Sequence, residues 1–229
     1  YLLQSCEDMT RVFREAFYIA NSGRPGPVLI DVPSDLAGAE MVFEYPDDVH
    51  IPSYKPTVKG NARQIRQAVE MMKNAKRPIL YIGGGIIASH SEEELLGVAE
   101  TLQIPVVTTL MAKSAFPSSH PLNLGHVGMH GSKYANFAVT NADLLVAVGA
   151  RFSDRVTGKL ADFAPEAKVI HVDVDPAEIG KNRIPQIPIV GDAKVVLAGM
   201  KEQLDKGGYE PKTKEWLEQI EEWRSRHPF

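Results

Sequence analysis

Apolar positions along the chain fall into two kinds of run. From residue 61, three- and four-residue spacing marks helices through Ile65, Val69 and Met72, through Leu95, Ala99 and Leu102, and through Val195, Val196 and Met200. Such spacing is one face of an amphipathic helix. Between these lie short, nearly unbroken apolar runs at Ile79–Ile82, Val106–Thr109, Leu144–Val148, Val169–Asp173 and Ile187–Val190. Runs of that length and character are strands covered on both faces. A further helix is predicted from about Ser132 to Thr140, and Ser91 with Glu94 has the spacing of a capping box. The stretch holding Pro117 and Pro121 reads as irregular. This alternation predicts an α/β fold: a doubly wound, mostly parallel Rossmann-like sheet of five or six strands, with helices on both faces.

Before residue 61 the pattern is different. Met9, Val12, Phe13, Ala16, Phe17 and Ala20 recur at helical spacing, and Val28–Pro33 reads as a short strand. One helix and one strand cannot bury both their faces alone. Residues 1–35 are therefore expected to be the end of a preceding domain. Residues 36–60 carry Pro46, Pro52 and Pro56 among acidic side chains and no sustained period, the composition of a linker. Residues 61–206 form the central domain. Residues 207–229 are read as a linker and helix toward a third domain, with Trp216, Leu217, Ile220 and Trp223 on one face. The chain opens on a helical pattern without an initiator methionine, so it is expected to be a piece of a longer protein.

Composition adds exclusions. The 229 residues carry a formal net charge of −4, which argues against nucleic acid as a partner. No apolar run reaches the ~20 residues that span a bilayer. The single cysteine, Cys6, has no partner within the chain and fits a reducing compartment. A cytoplasmic location is expected.

The chemistry gathers where strands end. Gly83-Gly-Gly-Ile-Ile-Ala88 fits G-x-G-x-x-A directly after a strand, where missing side chains let the backbone approach a pyrophosphate. A tight strand-to-helix turn with no ligand explains the same glycines. Val106–Thr109 ends in threonines rather than the acidic residue that takes the ribose of NAD, so ordinary NAD binding is disfavoured. Asp173 and Asp175 follow a later strand. They serve either a ribose or adenine, or the cap of a short helix begun at Pro176. Asp192 is an N-cap whatever else it does. His130 lies between glycines at a helix start, where free amides attract anions. Arg151 and Arg155 flank Phe152-Ser-Asp154, and a guanidinium fork suits a carboxylate or phosphate, with Asp154 able to pair Arg155. No metal-ligand spacing, catalytic triad or Walker loop is present.

As a set, Gly128-Met-His-Gly131, Asn141-Ala-Asp143, Gly149-Ala-Arg-Phe-Ser-Asp-Arg-Val-Thr-Gly158, His171-Val-Asp-Val-Asp-Pro176 and Ile189-Val-Gly-Asp192 resemble the acetohydroxyacid (acetolactate) synthase large-subunit family. Ser22–Val28 and Asp31-Val-Pro33 look like the end of that family's first domain. The resemblance runs from about residue 5 to about residue 205. Ser153 departs from it, since the family often has a second aspartate there.

The resemblance implies a thiamine-enzyme central domain that binds FAD without net redox chemistry. It belongs to an enzyme that joins pyruvate, after thiamine-dependent decarboxylation, to a second 2-oxo acid in branched-chain amino acid biosynthesis. Carried over, the FAD site comprises Arg24, Gly83, Gly84, Gly85, Thr109, Leu110, His130, Gly131, Gly149, Ala150, Arg151, Asp173, Val174, Asp192 and Ala193. Arg155 binds the second 2-oxo acid's carboxylate, Asp154 orients it, Met129 forms a neighbouring wall, and Lys55 stands near the mouth. A homodimer or tetramer with a regulatory small subunit is implied. The alternatives are the central domain of another thiamine-dependent carboligase or oxidase, and a non-catalytic module for NAD or coenzyme A.

The family's thiamine-activating glutamate and its Gly-Asp-Gly motif for Mg2+ and thiamine diphosphate have no counterpart in this sequence, so no catalytic residue is assigned. The purified chain is accordingly expected to form no acetolactate from pyruvate, thiamine diphosphate and Mg2+. A colorimetric acetolactate assay checks this, and measurable product would overturn it.

Overall fold

The computed structural model describes residues 1–207 and 209–228. Gly208 and Phe229, both within the tail segment, lie outside the described residues. The chain divides into two compact units, Tyr1–Thr57 and Val58–Phe229.

The first unit holds helix α1 (Met9–Asn21) and the single turn α2 (Ser34–Ala37). The strand expected at Val28–Pro33 is reduced to one parallel bridge, Leu2 to Asp31. There the Leu3 N–H donates to the Asp31 carbonyl at 3.0 Å and the Asp31 N–H to that of Tyr1 at 2.9 Å. Pro27 and Pro33 have no N–H to give, and the segment has a single short neighbour, so no ladder extends. Along α1, Val12 and Ala16 are buried, but Phe13 and Phe17 of the same pattern are 38% and 65% exposed.

In the second unit the order is α3 (Ala62–Asn74), β1 (Pro78–Ile82), α4 (Gly84–Ala88), α5 (Glu92–Leu102), β2 (Val106–Thr108), β3 (Asn123–His126), α6 (Lys133–Thr140), β4 (Leu144–Val148), α7 (Asp154–Thr157), β5 (Lys168–Asp173), β6 (Ile187–Val190), α8 (Ala193–Asp205) and α9 (Lys214–Arg226). The six strands make one sheet in the order β3-β2-β1-β4-β5-β6, every neighbouring pair parallel. The order reverses between β1 and β4, the switch point of a doubly wound sheet.

Strand residues alternate between two buried layers. Leu80, Ile82, Val146, Val148, Ile170 and Val172 pack with α3, α5 and α8. Ile79, Tyr81, Leu145, Ala147 and Val169 face α6, α9 and the loop after β4. The tail helix belongs to this second layer: Trp216 and Ile220 are 3% and 2% exposed, and the Trp216 indole N–H donates to the Pro78 carbonyl at 3.2 Å. Arg224 reaches the Asn123 carbonyl at 3.0 Å on the edge strand. Leu217, grouped with the two tryptophans by spacing, packs on the opposite layer.

Several local expectations are corrected. β3 lies inside the stretch read as irregular, because Gly125 at φ +76° and a register slip at Val106/Val107 break its apolar pattern. The Ser91 capping box does not form. Its backbone is not extended as an N-cap requires, and its hydroxyl instead donates to the Ile86 carbonyl. Helices do not separate every strand: β4 and β5 are joined by α7 and a 3-10 turn, and β5 and β6 by turns alone. Asp175 therefore closes a turn on the Ala177 N–H at 2.9 Å rather than starting a helix. Val195, placed on the apolar face of α8, is 39% exposed.

Burial of Trp216 makes the tail helix part of the fold's stability. Trp216→Ala is expected to cost about 3–5 kcal/mol, read as a lower urea midpoint for the chain.

Candidate functional site at the carboxyl edge of the sheet

Strand registers bring the strand ends into line. Ile82 pairs with Thr108 and with Val148, Thr108 with His126, Val148 with Val172, and Asp173 with Val190. One residue on from Ile82 and its partners, Gly83, Thr109, Val127, Gly149, Asp173 and Val190 therefore form a row along one edge. Six strands spaced ~4.8 Å apart give that row a length of ~24 Å. Gly83–Gly85, Thr109–Leu110, His130–Gly131, Gly149–Arg151, Asp173–Val174 and Asp192–Ala193 all fall on it. Arg24 and Lys55 belong to the first unit, where both are exposed.

At the switch point the glycines fit backbone to backbone. A Cβ on Gly83 would stand 2.2 Å from the Gly149 carbonyl oxygen, and one on Gly85 2.5 Å from the Gly149 Cα. Gly149 is itself at φ +56°, where L side chains are strained. The Gly83 N–H donates to Val148 at 3.0 Å and the Gly85 N–H to Gly149 at 3.1 Å. Close packing thus accounts for Gly83, Gly85 and Gly149, while Gly84 meets only the Met111 side chain, at 3.3 Å from its notional Cβ.

The loop leaving Gly149 is held from beneath. His171 Nε2 donates to the Ala150 carbonyl at 3.1 Å, the Tyr81 hydroxyl to that of Arg151 at 3.1 Å, and Asn182 Nδ2 to that of Phe152 at 2.7 Å. The Phe152 ring packs between Tyr81, Phe163 and His171, with centroids 5.2–6.3 Å away. Burial pushes the Tyr81 phenol up and the His171 imidazole down, Asp173, the Ala150 bond and Glu178 opposing the latter. Asp173 itself is pushed up by burial, although it accepts the Asp175 N–H.

The Gly128–Gly131 turn docks on the same loop. Gly128, at φ +107°, leaves 2.8 Å between a notional Cβ and the Val156 Cα, and the Met129 N–H donates to the Arg155 carbonyl at 3.3 Å. Asn136 clamps the turn from α6, accepting from the Gly128 N–H at 3.0 Å and donating to its carbonyl at 3.1 Å. Met129 is 72% exposed, and His130 and Arg151 are exposed too. The side chains of Asp154 and Arg155 are 86% and 84% exposed and approach to 3.9 Å. Asp154 also accepts the Arg155 backbone N–H at 2.9 Å. An exposed pair at that distance is screened and contributes little to folding. Asp192 caps α8 through the Lys194 and Val195 N–H groups, both on Oδ1, which leaves Oδ2 for another donor.

Sequence reasoning missed Tyr81, Asn136, His171 and Asn182. The available signal was a Tyr and a His inside otherwise aliphatic strands.

The family model described as "Thiamine pyrophosphate enzyme, central domain" matches residues 65–200, more than half of the chain. The chain belongs to this family. It is similar to a protein of Mycobacterium bovis named acetolactate synthase, at 54% identity over 197 residues, 86% of this chain and 32% of that protein. Similarity to the probable acetolactate synthase large subunit of Methanocaldococcus jannaschii is 52% over 226 residues, 97% of this chain and 38% of that one. With the acetolactate synthase large subunit of Corynebacterium glutamicum it is 46% over 229 residues, covering 100% of this chain and 37% of that one. The chain thus spans about a third of the length of these relatives.

A dinucleotide such as FAD fits this edge on several counts. The row is long and has side-chain-free backbone at Gly84. Thr109 Oγ1 is a buried atom without a hydrogen-bond partner. Leu110, Met111 and Met129 are 70–73% exposed, an apolar surface for flat rings. Arg151 has no ion-pair partner among the described residues. For a divalent metal the position differs: no group of three His, Cys, Asp or Glu side chains is placed to hold one among the described residues. No helix among those residues is long and apolar enough to cross a membrane.

The buried His171 sets a pH dependence. Its folded pKa is lowered, so as pH falls through ~6.5 the unfolded chain takes up the proton first and stability drops. Asp173, raised, has the opposite sign in a window above 3.8. Comparing wild type with His171→Gln cancels most of the Asp173 contribution. The gap between their melting temperatures is expected to shrink from about pH 7.5 to about pH 5.5, measured by differential scanning fluorimetry.

Proposed function

We propose that the chain is the central segment of an acetolactate synthase large subunit, and that the carboxyl edge of its sheet binds FAD. The observation that carries this is the alignment of six strand ends into one row, in a chain 46–54% identical to proteins of that name. Gly83–Gly85, Thr109, Leu110, His130, Gly131, Gly149–Arg151, Asp173, Val174, Asp192 and Ala193 would hold the dinucleotide. Arg151 answers a phosphate, Asp173 and Asp192 answer hydroxyl or amino groups, and Leu110 with Met129 lies against the ring system. The flavin takes no net part in redox chemistry and serves to organise the site.

Thiamine diphosphate, with Mg2+, supplies decarboxylation of pyruvate in such an enzyme. This chain's part is substrate placement. The Arg155 guanidinium offers paired N–H donors to the carboxylate of the second 2-oxo acid, Asp154 limits its swing, and Met129 walls one side. The product feeds branched-chain amino acid synthesis, and the whole protein works as a homo-oligomer with a regulatory subunit.

Titration of the chain with FAD, followed by quenching of flavin fluorescence, tests the reading. Saturable FAD binding is expected, with no comparable binding of NAD or coenzyme A. Arg151→Ala should weaken FAD by about 10- to 100-fold, the loss of one charge-assisted hydrogen bond. Saturable NAD binding without FAD binding would reject the proposal.

A further inference from the structure

Three consecutive carbonyls, those of Ala150, Arg151 and Phe152, each accept a hydrogen bond from a side chain, and the three donors come from different parts of the fold. His171 stands on β5 at 3.1 Å, Tyr81 on β1 at 3.1 Å, and Asn182 on the β5–β6 connection at 2.7 Å. Secondary structure does not require this. A loop leaving a strand ordinarily gives its carbonyls to water or to its own amides. His171 is 1% exposed and its Nδ1 has no partner. The one bond it makes is to a carbonyl, so the proton sits on Nε2. Tyr81 is fully buried and places a polar group in an aliphatic strand for a single hydrogen bond. Both side chains are expensive occupants of an apolar layer, and their common product is the path of residues 150–153.

That path ends at the exposed charges. Ser153 N–H returns to the Arg151 carbonyl at 2.8 Å, and Thr157 and Gly158 N–H groups return to Ser153 and Asp154 at 2.9 and 2.8 Å. The clamp therefore fixes the start of the turn that presents Asp154 and Arg155, and through the Arg155 carbonyl the Met129 amide as well. We infer that Tyr81, His171 and Asn182 are positioning residues, which hold the Ala150–Phe152 carbonyls so that Arg151 and Arg155 meet an anionic ligand from a preformed loop. The ligand half of this inference rests on the functional reading given above.

The test separates the two halves. Tyr81→Phe keeps the ring and removes only the hydroxyl. Asn182→Ala changes an exposed side chain, and His171→Gln retains an N–H near Nε2 while His171→Leu does not. Hydrogen–deuterium exchange on the whole chain, without ligand, is expected to rise about fivefold to tenfold for the peptide spanning 150–158 in Tyr81→Phe, Asn182→Ala and His171→Leu. His171→Gln should restore much of the protection, and the β1 and β4 peptides should stay unchanged. The first three variants should also weaken FAD at least fivefold, with His171→Gln closer to wild type. Unchanged exchange at 150–158 in all variants overturns the clamp. Faster exchange with unchanged FAD affinity overturns the positioning role. A wild-type chain that takes up no FAD fails the functional reading instead, and the exchange data still decide the clamp.

Discussion

The centre of this sheet is a place where two backbones touch with no side chain between them. Gly83 and Gly85 on one side and Gly149 on the other are close enough that a methyl group on any of them would overlap main-chain atoms at 2.2–2.5 Å. Such overlap cannot be relieved by rotating a side chain; a strand end or the first turn of α4 must move. The contact locks the ends of β1 and β4 at the switch point, and the Gly149 N–H extends the lock to β5 through the Val172 carbonyl at 2.8 Å. Everything that follows Gly149 inherits its direction from this crossing. The glycine-rich motif thus works first as a packing device. Room for the phosphates of the proposed dinucleotide would be a consequence of how flat that packing leaves the edge.

What lies beneath the crossing differs between the two faces. On one face, long helices supply an aliphatic layer. On the other, β4 and β5 are joined without a long helix, and the space is filled by Phe152, Phe163, Ala164 and Ala167 together with Trp216 and Ile220 of the tail helix. Arg183 ties this filling down, reaching the carbonyls of Phe163, Ala164 and Ala167 at 2.9–3.4 Å. Ala164 can hold φ +47° because its carbonyl is fixed in that way. The loop after β4 and the tail helix are therefore neighbours in one layer, and the polar strand residues Tyr81 and His171 point into the part of it that this loop occupies.

The periodic signals of the sequence carried most of this fold. Strands rich in Val, Ile and Leu were legible because burial on both faces leaves no polar position to confuse the pattern, and Asp192 was legible as a cap because its chemistry is local. β3 was hidden because its edge position tolerates Asn123, Gly125 and His126. The Val28–Pro33 strand was over-read, since β-branched residues describe a strand only when a neighbour exists to pair with. Ser91 was misread for a related reason. Its hydroxyl is buried against Ile86 of the preceding turn, a tertiary fact that spacing cannot contain. The exposed charges at the edge stand in a visible motif, whereas the side chains that hold their loop, Tyr81, His171 and Asn182, do not. The side chains that hold the loop are defined by contacts 21 to 70 positions apart in the chain, such as Tyr81 with Arg151.

The division between exposed charge and buried support has a physical logic. Arg155 and Asp154 gain little from each other, since both are more than four-fifths exposed and 3.9 Å apart. The guanidinium therefore keeps nearly all its hydrogen-bonding capacity, and an anion bound there would not first have to break a strong internal pair. What an exposed arginine lacks is a fixed place. Ordering a mobile loop at the moment of binding would consume much of the energy that one carboxylate contact provides. Here the ordering is done during folding, by three side-chain donors and an aromatic floor, and its cost is set against burial of Tyr81, Phe152 and His171. Strength at the contact still depends on excluding water. Leu110, Met111 and Met129, exposed as they stand, are the groups on this edge that would do so if the proposed flat ligand lay against them.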